Sequence, residues 1–136
     1  MRKSQASVEL MIYVGIMIVI FGVAVFAANS RQQEIYGERV FADAKNVLFT
    51  AVVEIDTAVS VGDGFSHSFF LTEALSGGTN YSIGLNSQYQ IAYIEWMEKN
   101  YTLPLTTSRL NGSFVKGMNR ISNHGGMITI ERPAAV

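Results

Sequence analysis

Cysteine is absent from the 136 residues, which removes disulfides, thiol nucleophiles and thiolate metal sites together. Any exported part of the chain must therefore be held by its core alone. An excess of either charge is missing too: ten Lys and Arg against eleven Asp and Glu leave a formal net charge of -1. No basic surface invites nucleic acid. A Gly-x-Ser-x-Gly elbow is missing, and Gly77-Gly78 and Gly125-Gly126 lack the rest of a phosphate-binding loop, so hairpin turns explain them better. His67 and His124 have no second ligand at useful spacing. The chain is expected to be no enzyme and to carry no metal or cofactor.

Charge is scarce overall, at 15% of residues, and the shortage is concentrated in one place. From Leu10 to Ala28 nineteen residues carry no charge. As a helix they would span roughly 28 Å, close to the hydrocarbon thickness of a bilayer. Arg2 and Lys3 precede this run and Arg31 follows it, which favours a cytoplasmic N-terminus and export of the remainder. No proline or glycine-rich break follows Ala28. Instead Val40, Ala44, Val47, Ala51, Ile55 and Ala58 recur in steps of three and four, with Phe41, Leu48, Val52 and Val59 beside them. The spacing predicts one helix from about Gln5 to Val61, stopped by Gly62-Asp63-Gly64. Its first half is apolar all round and its second half is amphipathic. A helix of this length needs a reason, and strict heptads are lacking in the first half. A membrane span followed by a fibre remains.

Beyond Gly64 the texture changes to strands. Runs are expected over 65–72, 81–85, 89–96, 101–105, 113–115 and 127–131, with turn signals at Ser76-Gly77-Gly78, Asn86-Ser87, Asn111-Gly112 and Asn123-His124-Gly125-Gly126. Pro104 marks an edge or irregular strand. The aromatics Phe65, Phe69, Phe70, Tyr81, Tyr89, Tyr93, Trp96 and Tyr101 follow strand alternation and are expected in the core. The fold class is α+β: one long N-terminal helix, apolar and then amphipathic, packed through Val40–Val59 against an antiparallel β-rich head built as a β-sandwich. The divisions are a leader over 1–4, a helix over 5–61 with its membrane or filament-core segment at 10–28, and an extracellular head over 62–136. Asn80-Tyr81-Ser82, Asn100-Tyr101-Thr102 and Asn111-Gly112-Ser113 are sequons in that head, so Asn80, Asn100 and Asn111 are candidate glycosylation sites.

One residue stands out at the start of the apolar run. Glu9 places a carboxylate at its lip, in the order Arg2-Lys3-Ser4-Gln5-Ala6-Ser7-Val8-Glu9. This opening resembles the archaeal type IV pilin family with the class III signal sequence, a short basic leader followed by Gln, a small residue, Ser, any residue and Glu. The resemblance implies cleavage by a prepilin peptidase at the Ser4–Gln5 bond, which makes Glu9 the fifth residue of the mature chain. Ser4 stands where Gly is common, and a small residue is kept. The stretch from Asn111 to Ile130 looks like the closing hairpin of such heads. The Gly-Ile-Gly-Thr-type start of archaellins is missing.

The resemblance also implies an assembly ATPase and a membrane platform protein as partners. The product would be a helical homopolymer of this chain, membrane-held before assembly and extracellular after it, with adhesion as its usual role. Physically, a lone carboxylate costs about 2.5–3.5 kcal/mol at a bilayer centre. An ammonium at Gln5 of another subunit, about 4 Å away at an effective dielectric near 20, returns roughly 4 kcal/mol. Gly15, Gly22, Ala24 and Ala27 would let such helices approach closely. The alternatives are a minor pilin or pseudopilin, whose bacterial tight-adherence members open similarly, and a membrane-anchored secreted β domain that never polymerises. A conventional secretory signal cut near Ala27 or Ala28 would leave a soluble domain starting with an amphipathic helix.

Overall fold

A computed structural model describes residues 2–133 of the chain, with side chains from residue 7 onward. The chain divides into two compact units, Met1–Glu38 and Arg39–Val136. A single helical element, α1, covers Arg2–Val61. Within the second unit, α1 buries Val40, Ala44, Val47, Leu48, Ala51, Val52, Ile55 and Ala58, the expected stripe. It ends as expected at Gly62, whose φ of 89° suits glycine alone among common residues. There the Gly62 N–H donates to the Ala58 carbonyl at 3.2 Å.

Seven strands follow: β1 Ser66–Leu71, β2 Ser82–Asn86, β3 Ile91–Trp96, β4 Lys99–Pro104, β5 Leu110–Gly112, β6 Gly117–His124 and β7 Met127–Glu131. They form two sheets, of order β1-β6-β7-β5 and β2-β3-β4. All pairings are antiparallel except β5 with β7, which is parallel. The helix stripe shares one buried cluster with Phe69 and Leu71 of β1, Ala92, Ile94 and Trp96 of β3, Ile121 of β6, and Ile128 and Ile130 of β7. One long helix packed against an antiparallel-rich β region is therefore the architecture, and the class is α+β. Pro104 closes the edge strand β4, where its missing N–H breaks no ladder.

Several expectations are corrected. The strand expected over 113–115 lies earlier, at β5, and Phe114 is instead a buried loop residue in edge-to-face contact with Phe69, ring centroids 5.9 Å apart. β6, the longest strand and one with partners on both sides, has no counterpart among the strands the sequence pattern predicts. Ser76-Gly77-Gly78 is a short 3-10 turn rather than a hairpin turn. Phe70 and Tyr89 are exposed rather than core. Phe70 points outward because its neighbours Phe69 and Leu71 take the inward positions of β1.

Two asparagines explain why a polar strand can sit inside. Asn119 is fully buried; its Nδ2 donates to the Val115 and Gly117 carbonyls at 2.7 and 3.0 Å, and its Oδ1 accepts the Val115 N–H at 2.9 Å. Asn123 is also buried; its Nδ2 donates to the Ala58 carbonyl at 2.8 Å and its Oδ1 accepts the Gly126 N–H at 3.0 Å. Its own N–H donates to the Phe65 carbonyl and its carbonyl accepts the Gly64 N–H, both at 2.9 Å. Asn123 thus pins the end of α1, the entry to β1 and the β6–β7 turn to one another.

Candidate functional site

The first unit is a helix segment with no side chain buried between residues 7 and 36. That segment is long and apolar enough to cross a membrane by length and composition. Its large side chains, Leu10, Met17 and Phe26 among them, are all exposed. A soluble surface does not carry such a continuous apolar sleeve. Compatibility with membrane association is a property of this helix, independent of any motif at its start.

Glu9 lies on the exposed helix at the lip of this sleeve. The side chains of Ser4 and Gln5, and with them the candidate cleavage bond, lie outside the described residues. Gly15 and Gly22, seven apart, fall within about 20° of each other around the axis. A Cβ added at either would meet nothing within 4 Å. Ala24 and Ala27 are exposed on the opposite side. Glu9 and Ala27, eighteen residues apart, share a face after five turns. The helix therefore has two small-residue faces rather than one, and the carboxylate belongs to the face of Ala27.

In the second unit all three sequon asparagines are exposed. Asn100 is the second residue of β4, paired with Glu95. Asn111 is central in β5. Asn80 precedes β2, and its Oδ1 accepts a hydrogen bond from the Lys116 ammonium. Lys116 also lies over the Tyr81 ring, 5.0 Å from its centroid. Nothing in the sequence signals this contact, since Lys116 is 36 residues from Asn80. Asn80 and Asn100 line one concavity of about 690 Å³ with Ser82, Glu95, Met97 and Lys99. Its rim is the two-residue β3–β4 turn Met97-Glu98, whose φ values are 42° and 62°. Such turns favour Asn-Gly, so the composition hid it.

Polar ties join the helix to the β-rich region. Asp43 accepts the Ser76 N–H at 3.0 Å and also its hydroxyl, and Asp56 accepts the Thr106 hydroxyl at 2.7 Å. The His67 Nδ1 meets a Glu54 carboxylate oxygen at 2.8 Å. The buried Tyr81 donates its phenol O–H to the Thr72 carbonyl; burial pushes its pKa up. Among the described residues no group of three His, Asp or Glu side chains is placed to hold a metal ion. Comparison with protein-family models, with characterised proteins and with solved structures gives no match.

Proposed function

We propose that this chain is a pilin: a structural subunit of an extracellular type IV-like filament, held in the membrane as a precursor and assembled through its N-terminal helix. The observation that carries this reading is the fully exposed apolar helix segment with a single carboxylate, Glu9, at its lip. A simple anchor needs the sleeve but has no use for the acid. Supporting it are the Gln5-Ala6-Ser7-Val8-Glu9 order and the continuation of the same element into the head core. A prepilin peptidase cuts the Ser4–Gln5 bond in this reading and creates the ammonium that Glu9 of another subunit meets. An assembly ATPase and a platform protein perform the extraction, and the head surface serves adhesion.

The test joins mass to assembly. Native protein should begin at Gln5; losing Arg2 and Lys3 shifts the formal side-chain charge from -1 to -3. Glu9→Gln should insert into the membrane and be cleaved yet give little sheared filament, because an unpaired amine would enter an apolar core. Glu9→Asp should be milder. Protein starting at Met1 would favour a non-polymerising anchored domain, and protein starting near Asn29 a conventional secretory signal. Normal filament yield from processed Glu9→Gln would make the acid an interfacial residue with no part in assembly.

A further inference from the structure

Both sheets are open, and so the head has four edge strands: β1 and β5 in one, β2 and β4 in the other. An edge exposes unpaired N–H and C=O groups, and proteins commonly blunt it with charge, proline, shortness or cover. Two of these edges are blunted. β4 carries Lys99, Pro104 and the Asn100 sequon. β5 has three residues, one of them the sequon Asn111 and one Gly112. The other two are not. β1 reads Ser66-His67-Ser68-Phe69-Phe70-Leu71 and β2 reads Ser82-Ile83-Gly84-Leu85-Asn86, with no Lys, Arg, Asp, Glu or Pro in either, and the sequon asparagine Asn80 lies before β2 rather than in it. His67 engages Glu54 of the helix.

The register identifies the free backbone groups. Around Gly125-Gly126 the β6–β7 hairpin closes on His124 and Met127, a hydrogen-bonded pair in a two-residue turn. Alternation then turns the N–H and C=O of Asn119 and Ile121 toward β1, where they face Phe69 and His67. The Asn123 N–H to Phe65 carbonyl bond at 2.9 Å agrees. The outward groups of β1 are therefore those of Ser66, Ser68 and Phe70. The same count from the Met97-Glu98 turn, consistent with the Leu105 N–H to Gln90 carbonyl bond at 2.7 Å, leaves Ile83 and Leu85 outward on β2. Among the described residues none of these five has a backbone bond beyond its own sheet.

We propose that β1 of one head pairs edge to edge with β2 of a second copy of this chain. The two strands match in length, six residues against five, and neither brings a formal charge against the other. Phe70, 58% exposed beside the β1 edge, gains cover in the contact. Because β1 meets β2, the contact joins unlike patches and propagates from head to head, as an open array unless its rotation closes a ring. Pairing of β1 with itself would stop at a dimer. This concerns contacts between heads, and it requires neither cleavage at Ser4–Gln5 nor Glu9.

The test is hydrogen exchange on the full-length chain in detergent micelles, dilute and concentrated, read on separate peptides for β1 and β2. Concentration should slow exchange about tenfold in both strands together, leaving β4 and β5 unchanged. Ser68→Pro should abolish the slowing on both, since its N–H faces the free edge and its loss breaks no internal ladder. Ser68→Lys, an edge charge that leaves the backbone intact, should do the same. Slowing on β1 alone, slowing on β4 or β5, or no dependence on concentration would overturn the proposal. Processing and filament yield are scored on separate samples, so failure of the pilin reading and failure of head pairing are distinguishable.

Discussion

Replacing Asn123 tests whether one buried amide holds the helix end to the sheet. Asn123→Ala deletes the bonds to the Ala58 carbonyl and the Gly126 N–H. At about 1 kcal/mol for each, the loss is about 2 kcal/mol, or roughly a 30-fold shift in the folded-to-unfolded ratio. The Ala58 carbonyl keeps its bond from Gly62, and Gly126 is exposed, so water limits the penalty there. Asn123→Asp is nearly isosteric and should be worse near neutral pH. It preserves the acceptor for Gly126 but turns a carboxylate oxygen on the Ala58 carbonyl. An uncompensated buried charge costs about 3–5 kcal/mol. Burial raises the introduced carboxyl's pKa above its unfolded value. The aspartate variant should therefore regain stability as pH falls and lose it as pH rises through the folded pKa. Trp96 is the sole tryptophan and is buried, so its emission during urea unfolding of the detergent-solubilised chain reports the head. An alanine variant within about 0.5 kcal/mol of wild type, a typical surface effect, would refute the clasp. So would an aspartate variant matching alanine at neutral pH.

Gly112→Ala keeps the Asn111-x-Ser113 sequon but should detach β5, because a Cβ there would lie 1.9 Å from the Ile130 carbonyl oxygen at a φ of 98°. A loss of at least about 1–3 kcal/mol is expected, seen as fast exchange in β5 and β7. Tyr81→Phe removes the O–H donated to Thr72 and should cost about 1 kcal/mol in urea unfolding. Since burial raises the Tyr81 pKa above 10.0, the folded state holds the proton longer than the unfolded state. That stabilisation is present below the unfolded pKa and fades as pH rises through the folded one; the phenylalanine variant should lack this share of the alkaline slope. Glycopeptide mass spectrometry of exported protein should find sugar on at least one of Asn80, Asn100 and Asn111, and all three bare would refute their use.

Much of this fold is legible because its signals are local. The stripe from Val40 to Ala58 is a helical period with a glycine stop, β3 and β7 announce themselves by apolar alternation, and β1 by an aromatic, β-rich run. β6 does not, because Asn119, Ser122 and Asn123 occupy buried positions that a hydrophobic pattern reserves for apolar residues. Asn119 is satisfied locally by the 115–117 segment, whereas Asn123 bonds the Ala58 carbonyl 65 residues away, a partner that only the fold brings near. The parallel β5–β7 pairing depends on a glycine pressed against a backbone carbonyl, and Asn111-Gly112 reads locally as a turn. At the candidate site the sleeve and Glu9 are plain in the sequence. The division of small residues between two helix faces follows from the helical period once they are placed around the axis. The Lys116–Asn80 contact and the open edges are tertiary facts with no local trace.

The two halves of α1 differ in exposure, and this constrains what could drive the proposed assembly. From Val40 to Ala58 the helix buries its stripe inside its own head, so that surface is already spent in the monomer. From residue 7 to 36 every side chain is exposed, and burying such surface from water is worth about 25 cal/mol per Å². In a membrane that reward has already been collected, because lipid tails are as apolar as leucine. Moving the segment from lipid into a bundle of helices gains little from apolar surface. In the proposed polymer, the terms the membrane does not supply would be close packing at Gly15 and Gly22, a partner for the Glu9 carboxylate, and backbone bonds for the free edges of β1 and β2. The edge bonds and the glycine packing involve no charge, so the Glu9 pairing is the term that salt can screen. An assembly that weakens with salt when the Glu9 contact is intact, yet retains protected β1 and β2 amides, would show the two contributions acting separately.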